Sequence, residues 1–472
     1  MSLPAAQQHF HPSTSTSHTY EDMMDRVHED MHRWGPLQQT TTLSTHPCLH
    51  LDDLTGIPFT ENVVGVELYQ QRARVRAKTG DMFAASCPPV LEYEWYNRKV
   101  LGLGSPTFIH AFDAPRPDAV AEACRSGFTL HHLAALANRS GGLTVHPYMG
   151  ILSVWQLASE LQDATEMPIR VLGPTPAATQ LANNKVFFTQ FIEEHFHSDW
   201  VAPSKQAHTP EGMAMGLYEL AQKYPKVALK MPECASAMGI EVFAAKDILG
   251  AHPQELVHQI DAFLTEKEWE KNSPVQMVAW LSATHSPSSQ VWISGDTEEV
   301  PDVQGIYEQL FTGPEKVFLG STPSDLPKHI QTKIKDMSAS VAKALQKIGY
   351  VGRCSFDFII VNGKPIFIEC NGRWGGTSTP MHLVDRIFPE GRPQYVAKDI
   401  QDDRLIGCRF KDLVEAFGDR LYRPQAGTGS FILYNVGCLA QFGKFDVIAI
   451  GATQEEAINQ ATVTLEQILS EM

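Results

Sequence analysis

The sequence predicts a mixed α/β and α+β protein of several domains, and three observations predict it. At 472 residues the chain is too long for one compact core, since about 150 residues per domain gives roughly three units. Apolar runs of strand length alternate with stretches of helical period, and no all-β stretch interrupts the alternation. Composition and turns then set off a polar tail with one amphipathic helix, to about residue 45, from a segment of about 46 to 178 that the turn-rich Gly173-Pro174-Thr175-Pro176 closes, with sharper helix and strand signals beyond Leu181.

The elements follow in order. In the tail, the polar tracts Pro12 to Ser17 and Thr40 to Thr42 flank Tyr20, Met24, Val27, Met31 and Trp34, which recur at helical spacing until Gly35-Pro36 stops the pattern. A helix with one apolar stripe docks on something. The next unit mixes short apolar runs (Asn62 to Tyr69, Thr107 to Ala111) with helix-like Ile151 to Leu161, and Gly173-Pro174-Thr175-Pro176 closes it. Beyond Leu181, Phe187, Phe188, Phe191 and Ile192 form one helical face, and Val227 to Lys230, Val275 to Leu281 and Gln290 to Ile293 read as strands. Ile330, Ile334, Met337, Val341, Leu345 and Ile348 step by 4, 3, 4, 4 and 3, a helix that Gly349 ends. Two strands flank Asn362-Gly363, a hairpin signal. The last helix opens on the capping box Thr453-Gln454-Glu455-Glu456 and buries Ala457, Ile458, Ala461, Leu465 and Ile468.

Composition narrows the function classes. Lys+Arg 38 against Asp+Glu 54 gives a net charge of −16, which repels phosphate backbones, so no nucleic-acid partner is expected. No apolar stretch approaches the roughly 20 residues that span a bilayer, and no export signal opens the chain. The eight cysteines lie far apart without a C-x-x-C pair, so buried free thiols and a cytoplasmic setting are expected.

One segment carries the strongest chemical signal. In Phe356 to Asn371, Asp357 and Glu369 interrupt apolar strands, where a carboxylate is costly unless a cation compensates it. Glu369 and Asn371 are two apart and face one way in an extended chain. Two carboxylates and an amide oxygen suit magnesium held against phosphates. A two-residue turn at Asn362-Gly363 would set Asp357 opposite Ile368, whereas a three-residue loop or a bulge at Asn362 to Lys364 sets it opposite Glu369. The second register is expected, with both carboxylates on one face. Arg373-Trp374-Gly375-Gly376-Thr377 follows, a guanidinium beside backbone donors suited to a transferring phosphoryl group. Upstream, Lys230 ends a buried strand before the small-residue loop Cys234-Ala235-Ser236-Ala237-Met238-Gly239, and Lys185 opens a helix after Asn183-Asn184. P-loop and Rossmann spacings are absent. His28-Glu29-Asp30-Met31-His32 matches the H-E-x-x-H zinc pattern, but Gln38 stands where a third histidine belongs and Gly35-Pro36 ends the helix at once. The pair is expected to be the polar side of the docking helix.

The order of these elements resembles the ATP-grasp superfamily over residues 181–400, and Leu143 to Lys185 looks like the pre-ATP-grasp region of pheganomycin-type peptide ligases. The resemblance implies an ATP-grasp fold preceded by an α/β pre-ATP-grasp domain at 46–180, a small subdomain at 181–305 and a large one at 306–472. It implies an ATP-dependent carboxylate–amine ligase that forms an amide or peptide bond through an acylphosphate. ATP would be held by Lys185, Lys230, Ser236 and Gly239, with the adenine hinge at Gln276, Met277 and Val278. Asp357, Glu369 and Asn371 would hold two magnesium ions, for which manganese could substitute, and Arg373 would be catalytic. The implied partners are small carboxylates and amines such as amino acids or short peptides, with room for a homo-oligomer. A phosphotransferase or a non-catalytic nucleotide-binding scaffold on the same fold are the alternatives. Gln276 stands where many members have Glu, the loop after Lys230 has one glycine, and no Arg immediately precedes Asp357.

Overall fold

The computed structural model describes residues 19–39, 44–58, 63–234, 239–312 and 317–472. The two polar tracts of the tail and Asn62 lie outside them. Three sheets organise the chain. The first contains β1 (Cys48–Leu51), β2 (Met82–Ala85), β3 (Thr107–His110), β4 (Leu143–Pro147) and β5 (Ile169–Val171), all parallel in the order β3-β2-β1-β4-β5. β1, β2 and β4 are almost wholly buried because helices pack against the sheet, with Trp155, Ala158 and Leu161 of Leu152–Ala164 filling the core. The order in which strands are added reverses between β1 and β4, which opens a crevice at the strand ends where Tyr148 sits.

β6 (Ser204–Ala207), β7 (Lys226–Lys230), β8 (Ile240–Ala244) and β9 (Val275–Ala279) form an antiparallel sheet ordered β6-β9-β7-β8. Met213, Leu217, Ile260 and Leu264 of the helices Pro210–Ala221 and Pro253–Glu266 cover it. The third sheet is antiparallel throughout: β10 (Pro287–Ile293), β11 (Asp302–Thr312), β12 (Val317–Pro323), β13 (Gly352–Val361), β14 (Lys364–Asn371), β15 (Gln394–Gln401), β16 (Phe431–Tyr434) and β17 (Lys444–Gly451). Its order is β14-β13-β10-β11-β12-β15-β17-β16. β10 therefore belongs to this sheet, which takes its first strand from before residue 305.

Local sequence explains the pieces that aim the site. Cys354, Phe356, Phe358 and Ile360 of β13 face a core filled by Ile334, Met337, Val341 and Leu345 of the helix Lys328–Lys347. The intervening Ser355, Asp357 and Ile359 face the other way, into a cavity. The tail helix Tyr20–Trp34 is capped by Thr19 and buries Tyr20, Met23, Val27 and Trp34. Its partners are Ala177, Ala178 and Leu181, while the Trp34 ring packs at a tilt against Trp155, 5.7 Å between centroids. Met23 replaces Met24 in the buried stripe. In the last helical stretch Ile458 is 47% exposed, against its expected burial, while Ala457, Ala461, Leu465 and Ile468 are buried. All eight cysteines are free, four buried and four half-buried.

Candidate active site

A cavity of about 690 Å³ lies where the three units meet. The eight-stranded sheet supplies its floor, with Asp357, Glu369, Asp399 and Asp446; β7 and β9 supply Lys230 and Gln276; Tyr69, Arg72 and Tyr148 close it from the parallel-sheet unit. The candidate site residues that line it come from the helix Lys185–His195 (Lys185), β7 (Lys230), β9 (Gln276 and Val278), β13 (Asp357), β14 (Glu369 and Asn371) and the loop that follows β14 (Arg373).

The hairpin sets the central geometry. Asp357 pairs with Glu369 and Ser355 with Asn371 across β13 and β14. The turn is the two-residue one, with Asn362 at φ 50° and Gly363 at φ 76° and Val361 opposite Lys364. That turn alone would put Asp357 opposite Ile368. A bulge corrects it: Phe358 pairs with Phe367 and Asp357 with Glu369, so Ile368 is the extra residue. The expected pairing is present, but the extra residue sits at Ile368 and not at Asn362 to Lys364. The bulge puts Ile368 and Glu369 together at the cavity wall.

Asn371 donates from Nδ2 to Asp357 Oδ2 at 3.0 Å, which leaves its amide oxygen for a cation. Burial, and then the adjacent Glu369 carboxylate, push the Asp357 carboxyl well up, against hydrogen bonds from Ser288, Gln309 and Asn371. Burial opposes ionisation of Glu369 as well, yet Lys185 and Lys230 outweigh it and hold this carboxyl below its usual range. A carboxylate pair with one member kept from ionising is a site short of positive charge, and hard oxygen donors fit magnesium there.

Lys185 follows Asn184, whose side chain caps the helix Lys185–His195 by accepting from the N–H groups of Val186 and Phe187. Its Nζ lies 3.0 Å from Glu369 Oε2 and 3.5 Å from the Cys234 carbonyl. Burial works against its charge, but Cys234 and Glu369 hold the ammonium above the ordinary lysine value. Lys230 is 4% exposed, at the end of β7, with its ammonium 5.8 Å over the Trp280 ring. Burial, reinforced by Lys185, pushes it down to about 8 despite Glu369. Gly239 closes the loop after Lys230, its carbonyl accepting from the Met231 N–H at 2.8 Å; a Cβ there would come within 2.9 Å of Cys234 and Met231. Ser236 lies outside the described residues.

Gln276, Met277 and Val278 are held differently from a free hinge. β9 is paired on both sides, to β6 and to β7, so their backbone is engaged in the sheet. The Gln276 side chain donates to Thr189 Oγ1 at 2.9 Å. The chain leaves the sheet at Trp280 and Leu281, which also line the cavity. Arg373 lines the cavity too and donates from Nη1 to Asn183 Oδ1 at 2.5 Å; Asn183 also accepts from the Gly372 N–H at 3.0 Å. Gly375 and Gly376 follow, with the Gly375 N–H donating to Ser378 Oγ at 2.6 Å where the helix Ser378–Ile387 starts. His28 and His32 are exposed on the tail helix, and among the described residues no third metal-binding side chain joins them.

Sequence reasoning missed Asn183, Ser288, Gln309, Asp399 and Asp446. Asp446 carries the signal that found Asp357, a lone carboxylate between apolar strand residues (Phe445-Asp446-Val447), whereas Asp399 follows Lys398 and reads as an ordinary charged pair.

No family model matches the chain, and no curated protein matches it in sequence. Solved structures do resemble it. N5-carboxyaminoimidazole ribonucleotide synthetase in its ADP complex superposes with a TM-score of 0.54 at 12% identity, covering 92% of this chain and 99% of that one. The biotin carboxylase of Campylobacter jejuni, in complex with β,γ-ATP, gives 0.53 at 14% identity over 85% and 88%. The biotin carboxylase domain of Hydrogenobacter thermophilus 2-oxoglutarate carboxylase, with MgADP, ADP and bicarbonate, gives 0.53 at 13% identity over 90% of each chain. Likeness at these identities speaks for architecture, and with the three sheets and their shared cavity it gives the chain the multidomain ATP-grasp fold.

Proposed function

We propose that the protein is an ATP-dependent carboxylate–amine ligase that forms an amide or peptide bond through an acylphosphate and releases ADP and phosphate. The observation that carries the reading is the register of the β13–β14 hairpin, which sets Asp357, Glu369 and Asn371 together beside two buried lysines in one cavity. The similar structures captured with ADP, β,γ-ATP and MgADP support a nucleotide there. Lys185 and Lys230 bind its phosphates; before that Lys185 is held by Glu369. Adenine is read by the chain leaving β9 at Trp280 and Leu281, because the backbone of Gln276 to Val278 is already paired. Magnesium held by Asp357, Glu369 and Asn371 would neutralise phosphate charge. Arg373, oriented by Asn183, stabilises charge on the transferring phosphoryl, and no side-chain nucleophile is needed because position and electrostatics suffice.

The sequence resemblance to pheganomycin-type ligases favours amino acids or short peptides as substrates, and the scattered free thiols favour a cytoplasmic enzyme. Among the described residues no helix is long and apolar enough to cross a membrane. The test is an ADP-release screen over pairs of amino acids with mass spectrometry of the products. A new amide formed with equal ADP and phosphate supports the reading. ADP formed with a phosphorylated product and no free phosphate replaces it with phosphotransfer.

A further inference from the structure

The cavity has a second charged end. On the sheet face that carries it, Asp399 of β15 stands directly opposite Asp446 of β17, and Asp446 opposite Tyr434 of β16. Lys444 Nζ lies 3.0 Å from Asp399 Oδ2. Asn435, held at φ 49°, donates from Nδ2 to Asp446 Oδ2 at 3.0 Å. Two carboxylates thus meet one ammonium, and full ionisation of both calls for a second cation beside them.

Across the cavity the balance is reversed. Asp52 is the carboxylate shared by Arg76, at 2.6 Å, and Arg72, at 3.9 Å. Two guanidiniums share this one carboxylate, and of these residues Arg72 lines the cavity, where its charge also faces Asp399 and Asp446. Its Nε is used by the Tyr69 carbonyl at 3.2 Å. Between the two charges the wall is apolar and aromatic: Leu54, Ile57, Val66, Tyr69 and Tyr148 pack as one cluster. Tyr69 touches both sides, 5.3 Å from the Lys444 ammonium and 4.7 Å from the Arg72 guanidinium.

Among the described residues, two acceptors at the acidic end have no hydrogen-bond partner. Asn435 is 3% exposed, lines the cavity and leaves Oδ1 without a hydrogen bond; Asp399 Oδ1 is likewise shut off and unpartnered. Such atoms are costly unless a donor arrives. An ammonium brings up to three donors and one positive charge. A divalent cation would sit beside Lys444, which repels it.

On the proposed ligase reading, we infer that this end of the cavity binds a zwitterionic α-amino acid with an apolar side chain as one of the two substrates. Its ammonium sits on Asp399, Asp446 and Asn435, its carboxylate on Arg72, and its side chain on the Leu54, Ile57 and Val66 wall. Burial raises both carboxyls, and each faces the other, Lys444 and Arg72. A ligand cation favours their ionised forms, and so binding and ionisation reinforce each other.

The test is calorimetry on the whole protein with L-leucine, L-methionine and L-phenylalanine, each titrated with and without ADP and magnesium. Isoamylamine and 4-methylpentanoate, which lack the carboxylate and the amino group of leucine, are the paired probes. At least one amino acid should bind, and both singly charged analogues of a leucine-sized ligand should bind about 10- to 100-fold more weakly. Asp399→Asn and Asp446→Asn should weaken amino-acid binding by a similar factor while ADP affinity is kept, which also shows that the variants fold. No binding by any of the three amino acids overturns the inference, as does equal binding of isoamylamine and leucine. Magnesium binding that disappears in Asp446→Asn, without amino-acid binding, overturns it in favour of a metal site. Failure of ADP to bind the wild type strikes the ligase reading instead, and the nucleotide-free titrations still decide the pocket.

Discussion

Lys230 offers a way to read the phosphate site through pH. Its ammonium is buried at the end of β7 and pushed down to about 8, first by desolvation and then by Lys185, with Glu369 pulling the other way. A phosphate arriving beside it adds negative charge, which favours the protonated form. The nucleotide therefore binds the charged lysine, and its affinity is full below pH 8 and lost above. For a group with this pKa the protonated fraction falls about tenfold between pH 7 and pH 9, so ADP affinity should fall by up to about tenfold across that window. Lys185 does not contribute, because Cys234 and Glu369 hold its ammonium above the ordinary range. The assay is calorimetry of ADP at fixed ionic strength in matched buffers, for the wild type and Lys230→Arg. Arginine keeps its charge throughout, so the pH slope should vanish in that variant. A wild-type affinity that is flat from pH 7 to pH 9 would refute the reasoning, and so would a slope that persists in Lys230→Arg.

Glu369→Gln should abolish ADP formation while circular dichroism shows a folded protein; it should also lower stability, because Lys185 at 3% exposure loses its carboxylate, by less than the roughly 3–5 kcal/mol of a fully buried pair since Glu369 itself is 28% exposed. Turnover within a few-fold of wild type would remove the metal assignment. Asn183→Ala frees the Arg373 guanidinium and should lower kcat by about 10²-fold with ADP affinity unchanged in calorimetry, since displacement of a catalytic group by about 1 Å costs that much. Because His28 and His32 are exposed on the tail helix, His28→Ala with His32→Ala should leave ligation intact, and metal analysis of the wild type should find no zinc that depends on them.

Much of this architecture was legible because the burial pattern is local. The stripe from Ile330 to Leu345 and the alternation along β13 read directly as a helix and a two-faced strand, since each residue's neighbours in sequence share its surroundings. The Asp357–Glu369 pairing was legible for another reason: carboxylates in apolar strands demand a common cation. How the pairing is reached was not, because a bulge at Ile368 leaves no mark of its own in the composition. That the backbone of Gln276 to Val278 is paired on both sides was not legible, because a strand's end depends on its partners, and β9 is held by both β6 and β7 through Val278. Asn183 escaped notice because it acts 190 positions away, on Arg373, through a contact that only the packing of the helices against β14 creates. Likewise β10 sits among long-range partners, and its sheet could not be read from its own residues.

The central claim is that carboxylate is activated by phosphorylation in the Asp357–Glu369 cavity, and trapping tests it most directly. Hydroxylamine added to enzyme, ATP, magnesium and a panel of amino acids intercepts an acylphosphate as a hydroxamate. The account predicts a hydroxamate from at least one acid, formed with equal amounts of ADP and free phosphate, and its disappearance in Glu369→Gln. Release of AMP and pyrophosphate, or a phosphorylated product without hydroxamate or free phosphate, would contradict it.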